Sequence, residues 1–249
     1  MTAQLKHDAS IHFDHETLSW EPYASGAYPA GLRARVLRRL DDGTPRSVVL
    51  DVPPGWSSGG FFVGEADEQG FVLSGDLAIG RHHLKRWGFY FHAAGSPYAP
   101  WSSAKGARLL LILGPRQHYA AVAPGPVKVS ERAFVLADAL AVQPITPVIA
   151  GKPMQGFERR VLFEDPDSGA DTRLLRVPGG LEGRGPNWHP VHEEIFCLEG
   201  DIGPDDRRLL KPGWYLHNPA YGIHGYHEHS RGGATILEWH DGKWTINFV

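Results

Sequence analysis

The sequence repeats itself once, and this repeat constrains the fold more than any other feature. When the chain is shifted by 125 residues, Glu68 falls on Glu193 and Gly75-Asp76 falls on Gly200-Asp201. The same offset aligns Gly88-Phe89-Tyr90-Phe91-His92 with Gly213-Trp214-Tyr215-Leu216-His217. A constant offset over a long stretch is typical of an internal duplication. We therefore expect two copies of one folding unit.

Short strand-like runs separated by turn signals predict an all-β fold. In the first copy the runs lie at 32–37, 47–52, 70–73, 88–91 and 108–113. The chain contains 30 Gly and 20 Pro, and these residues favour the tight turns that join short strands. Because helical periodicity is almost absent, the pattern predicts two tandem jelly-roll β-barrels rather than a helical or mixed fold.

The repeat also predicts a domain division. We expect a first barrel at 1–114, a proline-containing connection at 115–146 and a second barrel at 147–249. The first thirty residues are polar and aromatic, and we expect a solvated arm or an edge strand there. Apolar Phe196 and Leu198 lie on the strand face opposite Glu193, so that face should be covered by the other half or by a second subunit. A homodimer is predicted on this basis.

One stretch of the second copy concentrates metal-binding residue types. Residues two apart in an extended chain share a face, so Asn187, His189 and Glu193 point one way, and His192 and Glu194 the other. Imidazoles and a carboxylate on one buried face are poor core residues but suitable metal ligands. The remaining ligand should come from a distant strand, and His224 is the best candidate.

The stretch around His189 and Glu193 and the stretch around His224 resemble the two sequence motifs of the cupin superfamily. His189, Glu193 and Gly200 fit the spacing of the first motif, although Asn187 stands where its first His is usual. Gly213, Pro219 and His224 fit the spacing of the second motif. The intervening Gly of that motif is shifted to Gly222, and Glu228 stands where Asn is usual. With the repeat, the resemblance extends over most of the chain as a bicupin, a protein of two cupin domains.

Alternatives remain within this site. His189, Glu193 and His224 are the predicted ligands of one divalent metal, whereas Asn187 is a possible fourth ligand. His192 and Glu194 are rival ligands if Pro190 turns the strand. No catalytic residue is assigned. Possible pocket residues around the motifs are Trp188, Trp214, Tyr215, His217, Tyr221, Tyr226 and His227.

The first copy keeps only one of the three predicted ligands. Glu68 matches Glu193, but Gly64 matches His189, and Tyr98 or Ala99 matches His224. A single carboxylate holds a divalent ion weakly. We therefore predict that the first barrel is free of metal.

Composition limits the partners. The net charge is −3 and no long basic run is present, which disfavours nucleic acid and anionic membranes as partners. The single cysteine, Cys197, lies in an apolar run, which favours a buried structural thiol. Residues 1–19 lack the apolar core of a signal peptide, and no apolar run is long enough to cross a bilayer. A cytoplasmic protein is predicted.

The resemblance implies a metal-dependent enzyme that acts on a small organic molecule. The sequence around the motifs looks most like cupins that include anti-sigma-factor sensor domains and dioxygenases cleaving carbon–carbon bonds beside ketones. That likeness implies an Fe(II) dioxygenase. Zn, Mn and Ni accept similar ligands, so a non-redox hydrolase, lyase or isomerase is the first alternative. A non-enzymatic ligand or metal sensor is the second.

Overall fold

The computed structural model describes residues 4–7, 9–23, 26, 30–122, 130–205 and 207–249. Within these residues the regular structure is antiparallel β-strand, with two 3-10 helices at His15–Thr17 and Ala139–Ala141 and no α-helix. The all-β prediction is confirmed. None of the helices in the described segments has the length and apolarity needed to cross a membrane.

The chain forms two compact units. The first unit is Leu18–Ala141, and the second unit combines Met1–Thr17 with Val142–Val249. The leading segment of the second unit contains β1 (Ile11–Asp14). The strands of the first unit are β2 (Glu21–Pro22), β3 (Arg33–Arg39), β4 (Pro45–Val52), β5 (Trp56–Ser57), β6 (Phe62–Gly64), β7 (Glu68–Ile79), β8 (His82–Lys85), β9 (Phe89–His92), β10 (Pro97–Tyr98), β11 (Trp101–Ser103), β12 (Ala107–Leu113), β13 (Tyr119–Ala121) and β14 (Phe134–Leu136).

The rest of the second unit contains a matching set of strands. They are β15 (Val148–Ile149), β16 (Lys152–Pro153), β17 (Glu158–Glu164), β18 (Asp171–Val177), β19 (Leu181–Glu182), β20 (Asn187–Trp188), β21 (Glu193–Gly200), β22 (Ile202–Asp205), β23 (Arg208–Leu210), β24 (Trp214–Asn218), β25 (His229–Ser230), β26 (Ala234–His240) and β27 (Asn247–Phe248).

The main sheets of the two units share a strand order, which β2 extends by one strand in the first unit. The order is β14-β9-β7-β12-β4-β3-β2 in the first unit and β1-β24-β21-β26-β18-β17 in the second. The pairing register agrees as well, because Ala107 faces Val52 in the first unit and Ala234 faces Val177 in the second. The duplication read from the sequence is thus a duplication of sheet topology.

One edge strand of each main sheet lies outside the repeated segment that forms the rest of the sheet. β1 precedes the first copy in the chain but pairs with β24 of the second unit, while β14 precedes the second copy but pairs with β9 of the first unit. The compact units therefore have limits that differ from the predicted 1–114, 115–146 and 147–249. The leading segment is a paired edge strand, and the ring of His15 packs edge-on against Phe196, with centroids 5.3 Å apart.

Close backbone contact requires a glycine at equivalent positions of β7 and β21. Gly75 has φ +80° and Gly200 has φ +72°. A Cβ atom at either position would lie 2.0 Å from a carbonyl oxygen, that of Gly106 or of Gly233. Since no other residue avoids this clash, the motif glycine is explained by backbone packing in both copies.

Inward side chains of the two units differ in chemistry. The first unit fills its interior with large apolar and aromatic side chains, among them Leu50, Leu109 and Trp101. In the second unit an apolar cluster around Cys197, Leu216 and Ile236 fills only part of the interior. Buried polar residues occupy the remainder. The second unit therefore contains the candidate site.

Candidate metal centre

The structure brings the three predicted ligands together in the interior of the second unit. The Nε2 atoms of His189 and His224 lie 3.1 Å apart. They lie 3.5 and 3.6 Å from the carboxylate oxygens Oε1 and Oε2 of Glu193, respectively. Asn187 and His224 exchange two backbone hydrogen bonds of 2.9 Å, which fix the second motif beside the first. All three side chains are buried.

The hydrogen bonds of the two imidazoles prepare them for a metal. His189 Nδ1 lies 2.9 Å from the carbonyl oxygen of Thr245, and His224 Nδ1 lies 3.0 Å from that of Gly222. A carbonyl can only accept, so each Nδ1 carries the hydrogen, which leaves each Nε2 as the ring nitrogen that can present a lone pair to a metal. Burial lowers the pKa of His189, which favours the neutral ring. Two lone pairs 3.1 Å apart beside a carboxylate fit a divalent cation.

Glu193 keeps one position free for such an ion. Its Oε1 accepts hydrogen bonds from His240 Nε2 at 3.2 Å and Trp244 Nε1 at 3.1 Å, and its Oε2 accepts one from Asn218 Nδ2 at 2.7 Å. A carboxylate offers about four lone-pair positions, so one remains. Burial would raise the pKa of Glu193, but the nearby His189 and the hydrogen bond from His240 outweigh it and hold the pKa well below the usual value.

A buried charged network stands behind Glu193. His240 Nδ1 donates to Asp171 at 2.7 Å, Arg173 donates to Asp171, and Arg173 Nη1 donates to Glu238 at 3.1 Å. Burial alone would lower the pKa of His240, but its bonds to Asp171 and Glu193 raise the pKa to about 9. Both ring nitrogens of His240 are thus engaged by carboxylates, so the nearby set Glu193, Glu238 and His240, whose ligand atoms also lie close together, forms a hydrogen-bonded charged network in this structure.

These network residues were not predicted from the sequence. Asp171 and Arg173 lie two apart on β18, and Glu238 and His240 lie two apart on β26. Charged residues that repeat at every second position of a strand put their charge on one face. That face is the interior, and this alternation was the available signal.

The ligands open onto a cavity of about 140 Å³. Its polar wall includes Asn187, Glu228, Glu238, Arg159 and Arg173 in addition to the three ligands. Burial, together with the charges of Glu193 and Glu238, raises the pKa of Glu228 to about 7. The apolar wall is formed mainly by Ile149, Met154, Phe157, Leu175, Leu181, Ile195, Ile236, Trp244, Ile246 and Phe248. The cavity suits a small molecule with both polar and apolar parts.

Comparison with known proteins gives a likeness in structure only. No protein-family profile matches the chain, and no curated protein matches its sequence. A candidate dioxygenase from Nostoc punctiforme superposes with a TM-score of 0.84 at 17% identity, over 96% of this chain and 86% of that one. A candidate glyoxylate-induced protein from Pseudomonas aeruginosa gives 0.65 at 15% identity, over 100% and 95%.

Oxalate decarboxylase from Bacillus subtilis also superposes, with a TM-score of 0.61 at 13% identity, over 100% of this chain and 79% of that one. These neighbours are proteins of the cupin type. The chain has the bicupin fold. The predicted jelly-roll architecture is thereby confirmed. At identities this low the likeness shows the fold and not the activity.

Within this fold the rival ligands occupy different positions relative to the cavity. Asn187 lines the cavity, and its buried Oδ1 has no hydrogen-bond partner among the described residues. His192 Nδ1 lies 2.8 Å from His217 Nε2, and Glu194 accepts a 2.6 Å hydrogen bond from Tyr215. His192 and Glu194 therefore point away from His189 and Glu193, as the alternation of an extended strand requires.

The aromatic pocket predicted from the sequence differs from the main cavity. Tyr226 lines a smaller pocket that also includes His224. None of the seven predicted pocket residues, all of which the structure describes, lines the main cavity. They are Trp188, Trp214, Tyr215, His217, Tyr221, Tyr226 and His227. Trp188 packs against Tyr221 with ring centroids 5.6 Å apart, Trp214 stacks on His12, and His227 pairs with Glu182. The aromatic side chains that do line the cavity are Trp244, Phe157 and Phe248.

The matching place in the first unit is filled by neutral polar groups. Glu68 accepts hydrogen bonds from Tyr90, at 2.7 Å, and from Tyr119. A Cβ atom on Gly64, the counterpart of His189, would lie 2.9 Å from the side chain of Gln117 and 3.1 Å from the Tyr98 hydroxyl. Thus an amide and phenols stand where the second unit has imidazoles. That this unit is free of metal stays a prediction.

Proposed function

We propose that the protein is a metal-dependent enzyme acting on a small organic molecule, and specifically an Fe(II) dioxygenase. The observation that carries the proposal is the pair of Nε2 lone pairs, 3.1 Å apart, beside the one free position of Glu193. Two histidines and one carboxylate leave open positions and are the ligand set of non-haem Fe(II) oxygenases. The candidate dioxygenase among the structural neighbours supports the same reading.

The protein residues then have distinct roles. His189, His224 and Glu193 would hold the metal, which supplies Lewis acidity and, as Fe(II), a site for O₂. The carbonyls of Thr245 and Gly222 keep both imidazoles oriented. The apolar cavity wall excludes water from the reacting molecule. We assign Glu228 as proton acceptor, because it lines the cavity and its burial raises its pKa to about 7.

The test begins with protein purified without chelators or an affinity tag. We expect one divalent metal per chain, Fe in preference to Zn, Mn or Ni, and O₂ consumption when the right small molecule is supplied. His224→Ala should empty the site, because His189 and Glu193 alone cannot compete with water and buffer for a labile ion. Elemental analysis of the purified variants measures this directly.

Two control variants test whether the loss of metal is specific to His224→Ala. Glu68→Ala removes the matching carboxylate of the first unit and should leave the metal content near that of the parent. His192→Ala changes the neighbouring imidazole that points away from the cavity, and should also retain metal. Two metals per chain, or full occupancy in His224→Ala, would refute the proposed site.

A non-redox metal-dependent hydrolase, lyase or isomerase is the second candidate. The observation that favours it is Glu228, because a carboxyl that titrates near neutral pH beside a Lewis acid is sufficient for proton-transfer chemistry. The oxalate decarboxylase fold neighbour is compatible with this class. Turnover of a small organic substrate by the Zn- or Mn-loaded protein under argon, without O₂, would favour this candidate.

A ligand or metal sensor is the third candidate. A homodimer stays a prediction that light scattering tests.

A further inference from the structure

We propose that the substrate carries a carboxylate and that Arg159 binds it. This inference rests on the proposed function, because it concerns the substrate class of the same cavity. Arg159 is placed for this role by the sheet, by the lack of a partner for its Nε atom among the described residues, and by the positive charge that a bound metal would add to the cavity. None of these features was used to locate the metal centre.

The backbone of Arg159 is held rigidly at the cavity wall. Arg159 lies on β17 opposite Leu175 of β18, which also lines the cavity. Two further backbone hydrogen bonds of 2.8 Å join Arg159 to Ile145 on its other side. With hydrogen bonds on both edges, the strand presents the side chain inward. Arg173, one inward position along β18, is a diagonal neighbour.

The two arginines of the cavity differ in their partners. Arg173 bonds Asp171 and Glu238, and its guanidinium lies over the ring of Trp244 at 4.8 Å. The Nε of Arg159 is buried, and no hydrogen-bond partner for it exists among the residues that the structure describes. A buried guanidinium nitrogen without an acceptor costs free energy that an anionic ligand would recover. Carboxylates match the planar fork of arginine.

The balance of charge in the cavity favours an anion beside Arg159. Arg173 is already bonded to Asp171 and Glu238, whereas Arg159 lines the same cavity with its Nε unbonded among the described residues. A divalent metal at the candidate centre would add two positive charges. A carboxylate substrate would lie between that metal and the guanidinium of Arg159.

Three matched pairs of small probes test this inference. In each pair a carboxylate is compared with a neutral molecule of the same size: acetate with acetamide, acetoacetate with acetylacetone, and malonate with malonamide. All fit the size of a cavity of about 140 Å³. Isothermal titration uses the whole purified protein loaded with Zn(II), under argon, after its metal content has been measured. Binding is then independent of any oxidation.

For at least one pair, the parent protein should bind the carboxylate about tenfold or more tightly than its neutral counterpart, as expected for a charge-assisted bidentate contact. Arg159→Gln should abolish that preference without changing the metal content, and Arg159→Lys should retain part of it. The matched control is Arg176→Gln, because Arg176 is an exposed arginine on the adjacent strand. It should bind all six probes as the parent does.

Three outcomes would overturn the inference. They are a parent protein that prefers no carboxylate in any pair, a preference that survives in Arg159→Gln, and a loss of metal in Arg159→Gln. The last would show that Arg159 supports the metal site and not a ligand. A protein that passes these tests but consumes no O₂ with any substrate would instead count against the dioxygenase proposal, and the carboxylate inference would stand.

Discussion

Replacing Glu68 with Gln should stabilise the protein above neutral pH and leave it almost unchanged in acid. Glu68 is fully buried in the first unit, at the position that matches Glu193. Its neighbours are neutral phenols, those of Tyr90 and Tyr119, instead of imidazoles. Burial therefore raises the pKa of Glu68 to about 7, although the two phenol hydrogen bonds oppose the shift.

The magnitude follows from that pKa. The shift runs from 4.5 to about 7, and each pKa unit is worth about 1.4 kcal/mol, so the full effect is about 3 kcal/mol. A group whose pKa is raised by folding stabilises the folded state in its protonated form. This contribution is fully present below pH 4.5 and is lost as the pH rises through about 7. Gln resembles the protonated acid, with one acceptor and one donor group, at every pH.

Urea unfolding of the parent and Glu68→Gln, followed by tryptophan fluorescence between pH 5 and 8, measures the difference. Because all other groups titrate in both proteins, the pH dependence of the difference isolates Glu68. We expect the variant to lie within about 1 kcal/mol of the parent at pH 5 and to be more stable by roughly 3 kcal/mol at pH 8. A difference that is constant with pH, or that favours the parent at pH 8, would show that the phenols hold Glu68 ionised and would refute the reasoning.

Three further predictions concern the second unit. His240→Asn should flatten the alkaline limb of the stability curve of the chelator-treated protein, because the contribution of His240 is present below pH 6.5 and lost as the pH rises through about 9. Asn187→His should tighten metal binding at least about tenfold in a chelator competition, since it adds an imidazole where an amide oxygen has no partner in the described part of the chain. Ser10→Ala removes the 2.6 Å hydrogen bond that orients Asn218 toward Glu193, and should weaken metal binding about tenfold with an unchanged circular dichroism spectrum.

Much of the fold was predictable because the duplication is visible in the sequence itself. The offset between Glu68 and Glu193 also relates the strands that contain them and the strands on either side. The meeting of His189 and Glu193 with His224 was predictable from a period of two and from motif order. Whether they bind a metal stays a prediction that elemental analysis tests.

The buried network and the cavity wall were missed for two physical reasons. Arg173 and His240 lie on strands without a motif, so only the alternation of charge within those strands could have pointed to them. The predicted aromatic wall failed because Trp188 lies between Asn187 and His189, and an extended chain turns such a residue to the other face. The pairing of β1 with β24 joins residues about two hundred positions apart, and no local pattern encodes it.

The exchanged edge strands impose an order on folding during synthesis. Residues 18–141 leave the ribosome as a complete set for the first unit, including β14. Residues 1–17 emerge earlier than any of them, yet the strand that β1 must pair with, β24, is among the last to appear. The leading segment must therefore remain unpaired while an entire barrel forms, and it closes the second barrel only after Asn218 has been made. An exposed β1 during this interval is the edge through which two nascent chains would exchange strands.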